Sequence, residues 1–199
     1  MWLSHVFALL VRVLVGAQAQ WIGCKPAPVL RIYYANHTSH LDTLALWCAL
    51  PHHLRKTTRP VAASDYWNRG GLRGYVATHG FNALFIERDK DKRAGDPLEP
   101  LAQALARGES LVIFPEGTRR AQALPSPFKS GIFHLATKFP DAQLVPVYLN
   151  NLYRSMPKGT YLPVPLTCSV RFGAPLARIA DEPKEAFLER ARQAVVDLA

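Results

Sequence analysis

Cysteine, acidic residues and long apolar runs are scarce in this chain. Its 199 residues hold three cysteines, Cys24, Cys48 and Cys168, far apart and in no Cys-x-x-Cys pair. An odd, scattered set argues against a disulfide framework or a zinc site and suits reduced thiols packed as small hydrophobes. Asp and Glu number 15 against 24 Lys and Arg, so the formal net charge is +9. No apolar run reaches the roughly 18–20 residues of a spanning helix, which excludes a polytopic membrane protein. Internal repeats and low-complexity segments are also missing.

What is there is a basic, half-hydrophobic domain. Hydrophobic residues make up 49% of the chain, and 16 prolines are spread along it. That composition builds a core and argues against disorder. The excess of positive charge suits an anionic partner, whether nucleic acid, an anionic membrane surface or a phosphorylated substrate.

Met1 to Gln20 is the most hydrophobic stretch. His5, Ala8, Arg12 and Gly16 fall on one stripe of a helix, while Trp2, Leu3, Phe7, Leu10, Val11 and Leu14 fill the other faces. A signal peptide fits poorly, because no Lys or Arg precedes the apolar run and Arg12 interrupts it. The expectation for residues 1–24 is an amphipathic helix lying in a membrane interface, with Arg12 snorkelling to phosphates. A helix packed on the domain is the alternative. Residues 25–199 form the remaining, single domain.

Strand and helix signals then alternate. Val29–Ala35, Pro60–Ala63, Ala83–Glu87, Leu111–Phe114, Leu144–Leu149 and Thr167–Phe172 read as strands. Leu41–Leu50, Leu72–Thr78, Pro97–Arg107 (capped by Asp96), Gly131–Lys138 and Pro183–Leu198 read as helices. In the last helix Ala186, Phe187, Ala191, Val195 and Leu198 lie on or near one side. The expected fold is α/β, a mixed sheet covered by helices.

The chemistry-bearing residues sit at strand exits, where α/β sheets bind ligands. Asn36-His37-Thr38-Ser39-His40-Leu41-Asp42 follows the first strand. A carboxylate five residues after His37 can reach the imidazole across a turn, fix its tautomer and let the other nitrogen take a proton. A structural histidine beside a helix-capping Asp42 fits the same spacing. His37, His40 and Asp42 together could bind a metal, but no fourth ligand stands at a supporting distance. Phe114-Pro115-Glu116-Gly117-Thr118-Arg119-Arg120 follows another strand. Gly117 permits turns closed to other residues, and Arg119 or Arg120 can grip a phosphate. Phe85-Ile86-Glu87-Arg88 leaves a third strand with an arginine at its edge.

In this order the blocks resemble the glycerolipid acyltransferases of the lysophosphatidic acid acyltransferase type. Asn36-His37 and Asp42 match the His-x4-Asp box. Phe85 to Arg88 resembles the second block, Phe114 to Arg119 matches the third, and Val145-Pro146-Val147 resembles the fourth. The resemblance implies acyl transfer from a thioester to the hydroxyl of 1-acylglycerol-3-phosphate, giving phosphatidic acid. His37 would be the general base and Asp42 its partner. Arg88, Glu116, Gly117, Thr118 and Arg119 would surround the acceptor, and Pro146 would shape the acyl-donor side. No metal or cofactor is implied beyond the donor, acyl-CoA or acyl-carrier protein, and Thr38, Ser39 and the cysteines have no nucleophilic duty. The expected partners are a lysophospholipid, that donor and an anionic membrane surface, with peripheral or monotopic placement on the cytoplasmic face. Nucleic acid is not expected, because aromatics are not interleaved with the basic runs. Asn82 stands where the second block usually has Gly, and Arg120 where a small hydroxyl residue is common. Another lysolipid acceptor, such as a lyso-aminolipid, or a non-catalytic lipid-binding protein are the alternatives.

Overall fold

The computed structural model describes residues 17–39, 41–63, 82–87, 95–120, 122–155 and 167–199. In chain order the elements are β1 (Ala17–Trp21), β2 (Arg31–Ala35), α1 (Asp42–Ala49), α2 (His52–Arg55), β3 (Thr58–Ala63) and β4 (Leu84–Ile86). They continue with α3 (Glu99–Ala106), β5 (Ser110–Ile113), α4 (Gly131–Lys138), β6 (Gln143–Asn150), α5 (Leu152–Ser155), β7 (Cys168–Phe172) and α6 (Lys184–Val196). The strands form one sheet in the order β1-β7-β6-β2-β5-β3-β4. Every neighbouring pair is parallel except β6 and β7. The expected mixed α/β sheet is what the chain builds.

Strand alternation sorts the core into two layers. Tyr33 and Ala35 of β2 face α1, in a cluster with Leu46, Val112, Val145 and Phe172. Ile32 and Tyr34 face the opposite side, where α3, α4 and α6 cover Leu111, Ile113 and Leu144. Both faces are therefore apolar, which is why the central strands read as continuous hydrophobic runs. Each fully buried large side chain contributes about 1.5–3 kcal/mol by leaving water. Cys48 and Cys168 are buried in the α1 layer and Cys24 packs against it, with burial pushing the Cys24 thiol above its usual range.

Most expected elements appear within a few residues of their expected ends, and α4 matches residue for residue. Asp96 Oδ1 accepts the Leu98 N–H at 2.9 Å, capping the turn that opens α3. Phe187, Ala191 and Val195 of α6 are buried and Leu198, just beyond it, packs half-buried on the same cluster, but Ala186 is exposed, which corrects that one position of the expected face. The expected interface segment is also corrected at its end, because residues 17–21 are the edge strand β1. Pairing with β7 and the stacking of Trp21 on Phe172, with ring centroids 3.9 Å apart, override the weak strand tendency of Ala-Gln-Ala-Gln. The four-residue helices α2 and α5 are too short for a periodic signal. Residues 1–16 and the expected helix Leu72–Thr78 lie outside the described residues. Among those described, no helix is long and apolar enough to cross a membrane.

At the amino edge of the sheet, Glu109 ties β3 to the turn entering β5. Arg59 Nη1 reaches its two oxygens at 3.1 and 3.3 Å, and Arg107 Nη2 adds a third contact at 2.9 Å. Burial pushes the Glu109 carboxyl up, but the hydrogen bonds from Arg107 and Arg59 outweigh it and leave it below the usual range. A depressed carboxyl stabilises the fold above its unfolded value, and that contribution disappears as pH falls through the folded one. Glu109→Gln is expected to lower stability by about 1 kcal/mol at neutral pH. Thermal melts across pH check this, and the gap from the parent should close below about pH 4.

Candidate active site

The sheet's parallel core puts the exits of β2, β3, β5 and β6 along one edge, and the motif residues converge there. His37 lies two residues beyond β2, and Asp42 opens α1. His37 Nδ1 stands 2.9 Å from Asp42 Oδ2, with the Asp42 side chain fully buried and that of His37 20% exposed. The same oxygen accepts the main-chain N–H of Thr38 at 2.6 Å and of Ser39 at 2.8 Å. Three donors on one oxygen fix the carboxylate, and the carboxylate in turn selects the imidazole with hydrogen on Nδ1. Nε2 is then an acceptor, free of the Asp42 contact. The His37 ring also stacks on Phe114, centroids 4.2 Å apart and planes 20° from parallel, which restrains its rotation.

His37 opens onto a cavity of about 230 Å³. Its polar lining is His37, Thr43, Arg119 and Lys129; the remainder is largely apolar and includes Ile86, Leu101, Ile132 and Leu135. Lys129 is exposed and Arg119 half-buried, whereas Leu101, Ile132 and Leu135 are buried. The cavity is thus cationic toward solvent and apolar toward the core, with the imidazole at the boundary.

The turn after β5 shapes the cationic side. Gly117 has φ +70°, a left-handed conformation that L side chains rarely adopt. A Cβ at Gly117 would lie 2.7 Å from Lys129 Nζ and 2.8 Å from its Cε, so the bare glycine makes room for the lysine stem. The Lys129 N–H donates to Pro115 O at 2.9 Å, tying the two segments together. In the sequence Lys129 is one of several basic residues near the third block. Its place beside Gly117 depends on the chain folding back twelve residues later.

The other expected residues divide. Gly117 and Arg119 line the cavity with His37. Thr118 is exposed and does not line it. Glu116 is 4% exposed, and both carboxylate oxygens are taken up inside the protein, one by the His37 N–H at 2.7 Å and the other by Ser126. Pro146 is likewise placed away from the lining: it sits within β6 opposite Tyr34, its ring close to Gly173. Arg88 and His40 lie outside the described residues. Among the described residues no group of three or more His, Cys, Asp or Glu could hold a metal ion.

The model of a family described as "Acyltransferase" matches residues 28–150, which span every one of these features. The chain belongs to the acyltransferase family. Its relatives include the 1-acyl-sn-glycerol-3-phosphate acyltransferase alpha of Ovis aries, 29% identical over 74% of this chain and 50% of that protein. The 1-acyl-sn-glycerol-3-phosphate acyltransferase of Cocos nucifera is 26% identical over 87% of this chain and 54% of its own. The chain spans about half the length of these curated relatives. The crystal structure of the 1-acyl-sn-glycerophosphate acyltransferase PlsC from Thermotoga maritima superposes with a TM-score of 0.74 at 21% identity. It covers 98% of this chain and 78% of that one, a likeness of fold. In this family member, then, the acyltransferase blocks are the segments that line or support one cavity.

Gly117→Ala tests the turn. The left-handed φ costs an L residue about 1–2 kcal/mol, or roughly 2–4 °C of Tm per kcal/mol in a chain of this size. Calorimetry should show that fall. An unchanged Tm would mean that the turn relaxes to a negative φ.

Proposed function

We propose that this chain transfers a fatty acyl group from acyl-CoA or acyl-carrier protein to the free hydroxyl of 1-acylglycerol-3-phosphate, giving phosphatidic acid. The observation that carries this reading is the His37–Asp42 pair at the boundary between an apolar cavity and a rim bearing Arg119 and Lys129. A lysophosphatidate has the matching polarity, with an acyl chain at one end, a phosphate monoester at the other and a hydroxyl between.

The geometry supports the following reaction. His37 Nε2 takes the proton of the acceptor hydroxyl as its oxygen attacks the thioester carbonyl carbon. The tetrahedral intermediate collapses with cleavage of the C–S bond, and the imidazolium returns the proton to the departing thiolate. Asp42 stabilises the imidazolium that forms between these steps and keeps Nε2 turned toward the substrate. A thioester is reactive enough for an activated alcohol, so the reading draws on no cofactor or metal. Arg119 offers a planar fork and Lys129 a point charge to the acceptor phosphate.

The same edge of the sheet supports a membrane-facing site. Asn150 of β6 is level with Ser169 of β7, and Ser169 is level with Gln18 of β1. The start of β1 at Ala17 therefore lies at the edge where β2 delivers His37, three strand spacings or roughly 14 Å away. An anionic membrane surface would meet the basic rim there.

Thiol release from acyl-CoA, measured with a panel of lysolipids, tests the activity. Release should require a lysolipid and be fastest with 1-acylglycerol-3-phosphate. His37→Ala should lower the rate at least a hundredfold. Lys129→Ala should raise the KM for that acceptor about tenfold, the effect of losing one charge-assisted hydrogen bond. Release without an acceptor would indicate a hydrolase, and none with any lysolipid would favour a lipid-binding protein. For the membrane contact, vesicles of anionic phospholipid should carry the full chain in flotation, and Phe7→Asp with Leu10→Asp should abolish it. Equal flotation of the variant would sink that idea.

A further inference from the structure

Among the side chains that do not line the cavity, Glu116 bonds the main chain of His37, Ser126 bonds Glu116, and Asn36 precedes His37 in the chain. The β2–β6 ladder ends where Ala35 pairs with Val147. One residue further, Asn36 is fully buried and its side-chain amide continues the pairing in place of the backbone. Asn36 Oδ1 accepts the Leu149 N–H at 2.8 Å, and Nδ2 donates to Leu149 O and to Ala123 O, both at 3.2 Å. With a side chain standing in for the strand, the backbone at His37 leaves the sheet without abandoning β6's polar groups.

The main-chain groups of His37 are then held by the turn after β5. Its carbonyl accepts the Arg120 N–H at 3.0 Å, and its N–H donates to Glu116 Oε1 at 2.7 Å. Glu116 Oε2 accepts from the Ser126 N–H at 3.0 Å and from the Ser126 hydroxyl at 2.6 Å. A carboxylate this deeply buried keeps its orientation only while donors surround it. Ser126 supplies two of these three donors, and His37 supplies the third.

We propose that Glu116 and Ser126 act as a positioning pair for His37, with Asn36 as the pivot that lets them reach it. Ser126 holds the carboxylate, the carboxylate holds the His37 amide, and the imidazole is thereby presented at a fixed height in the cavity. This rests on His37 being the base. It departs from the expectation that Glu116 touches the acceptor, because the carboxylate is buried, does not line the cavity and has both oxygens engaged inside the protein. Displacing a base by about 1 Å can cost on the order of a hundredfold in rate, so the pair governs turnover more than binding.

The two assignments differ in which kinetic constant moves. With the full chain, acyl-CoA and 1-acylglycerol-3-phosphate, Glu116→Gln presents an NH2 group to either the His37 or the Ser126 N–H, and kcat should fall about a hundredfold. Ser126→Ala keeps the charge and the Ser126 N–H, and should cost roughly five- to tenfold in kcat, as expected for one lost charge-assisted bond. KM for both substrates should stay within about twofold in each variant, the mark of an interaction that does not touch the ground-state substrate. Ser126→Thr, which restores the hydroxyl, should recover the rate lost in Ser126→Ala. A raised acceptor KM at preserved kcat would overturn the proposal, as would a Ser126→Ala enzyme with the parent kcat or a loss that Thr does not restore. His37→Ala in the same assay separates the premises. If it is inactive while Glu116→Gln and Ser126→Ala match the parent, the positioning pair alone fails; if it is active, the base assignment fails first.

Discussion

One carboxylate oxygen, Asp42 Oδ2, organises the loop on which the chemistry depends. The N–H groups of Thr38 and Ser39 and Nδ1 of His37 all meet it, and the Asp42 side chain is fully buried. Because Asp42 is the first residue of α1, anchoring the carboxylate also anchors the helix start against the end of β2. The loop must curl to bring two amides onto one atom, and that curl turns the imidazole toward the cavity. Binding, tautomer and chain direction at His37 therefore share a single electrostatic cause.

The cavity belongs to the core as much as to the site. Leu101 of α3 and Ile132 and Leu135 of α4 are buried members of the helical layer that packs on Ile32, Leu111 and Ile113. These same side chains form the apolar wall facing His37. An apolar gap among core residues is poorly hydrated and lacks the dispersion contacts of a filled interior. An acyl chain entering it would supply those contacts without displacing well-bonded water. The helices thus fulfil two demands with one face, covering the sheet and leaving a shaped space, which ties the stability of α3 and α4 to the geometry of binding.

What the sequence discloses about this arrangement is local. The exit of β2 into His37, the spacing to Asp42 and the boundaries of α4 are set by neighbouring residues, and each is legible by inspection. β1 is not, because its pairing partner Phe172 lies 151 residues further along the chain and Ala-Gln-Ala-Gln carries little strand preference. Glu116 shows the limit within a motif. Its identity beside Gly117 and Arg119 suggests shared work on a ligand, yet its neighbours in space are His37, 79 residues earlier, and Ser126. The surroundings of Pro146 are likewise set at a distance, by strand alternation and the pairing of β6 between β2 and β7. Lys129 reaches the rim because Gly117 has no side chain, a complementarity that neither residue reveals alone.

The scarcity of acidic residues also takes on a structural meaning. Several of the 15 are committed inside the fold: Asp42 and Glu116 are buried around His37, Glu109 is held by Arg59 and Arg107, and Glu182 and Glu189 pair with Arg190 and Arg192. Carboxylates engaged in this way contribute little field to solvent beyond the cations they neutralise. Arg119 and Lys129, by contrast, face the cavity opening, and Arg120 is exposed next to them. Part of the positive charge of the described residues therefore stands at the mouth of the cavity that His37 lines. A single-sign rim around a low-dielectric cavity focuses the potential at its mouth and raises the local concentration of anionic ligand.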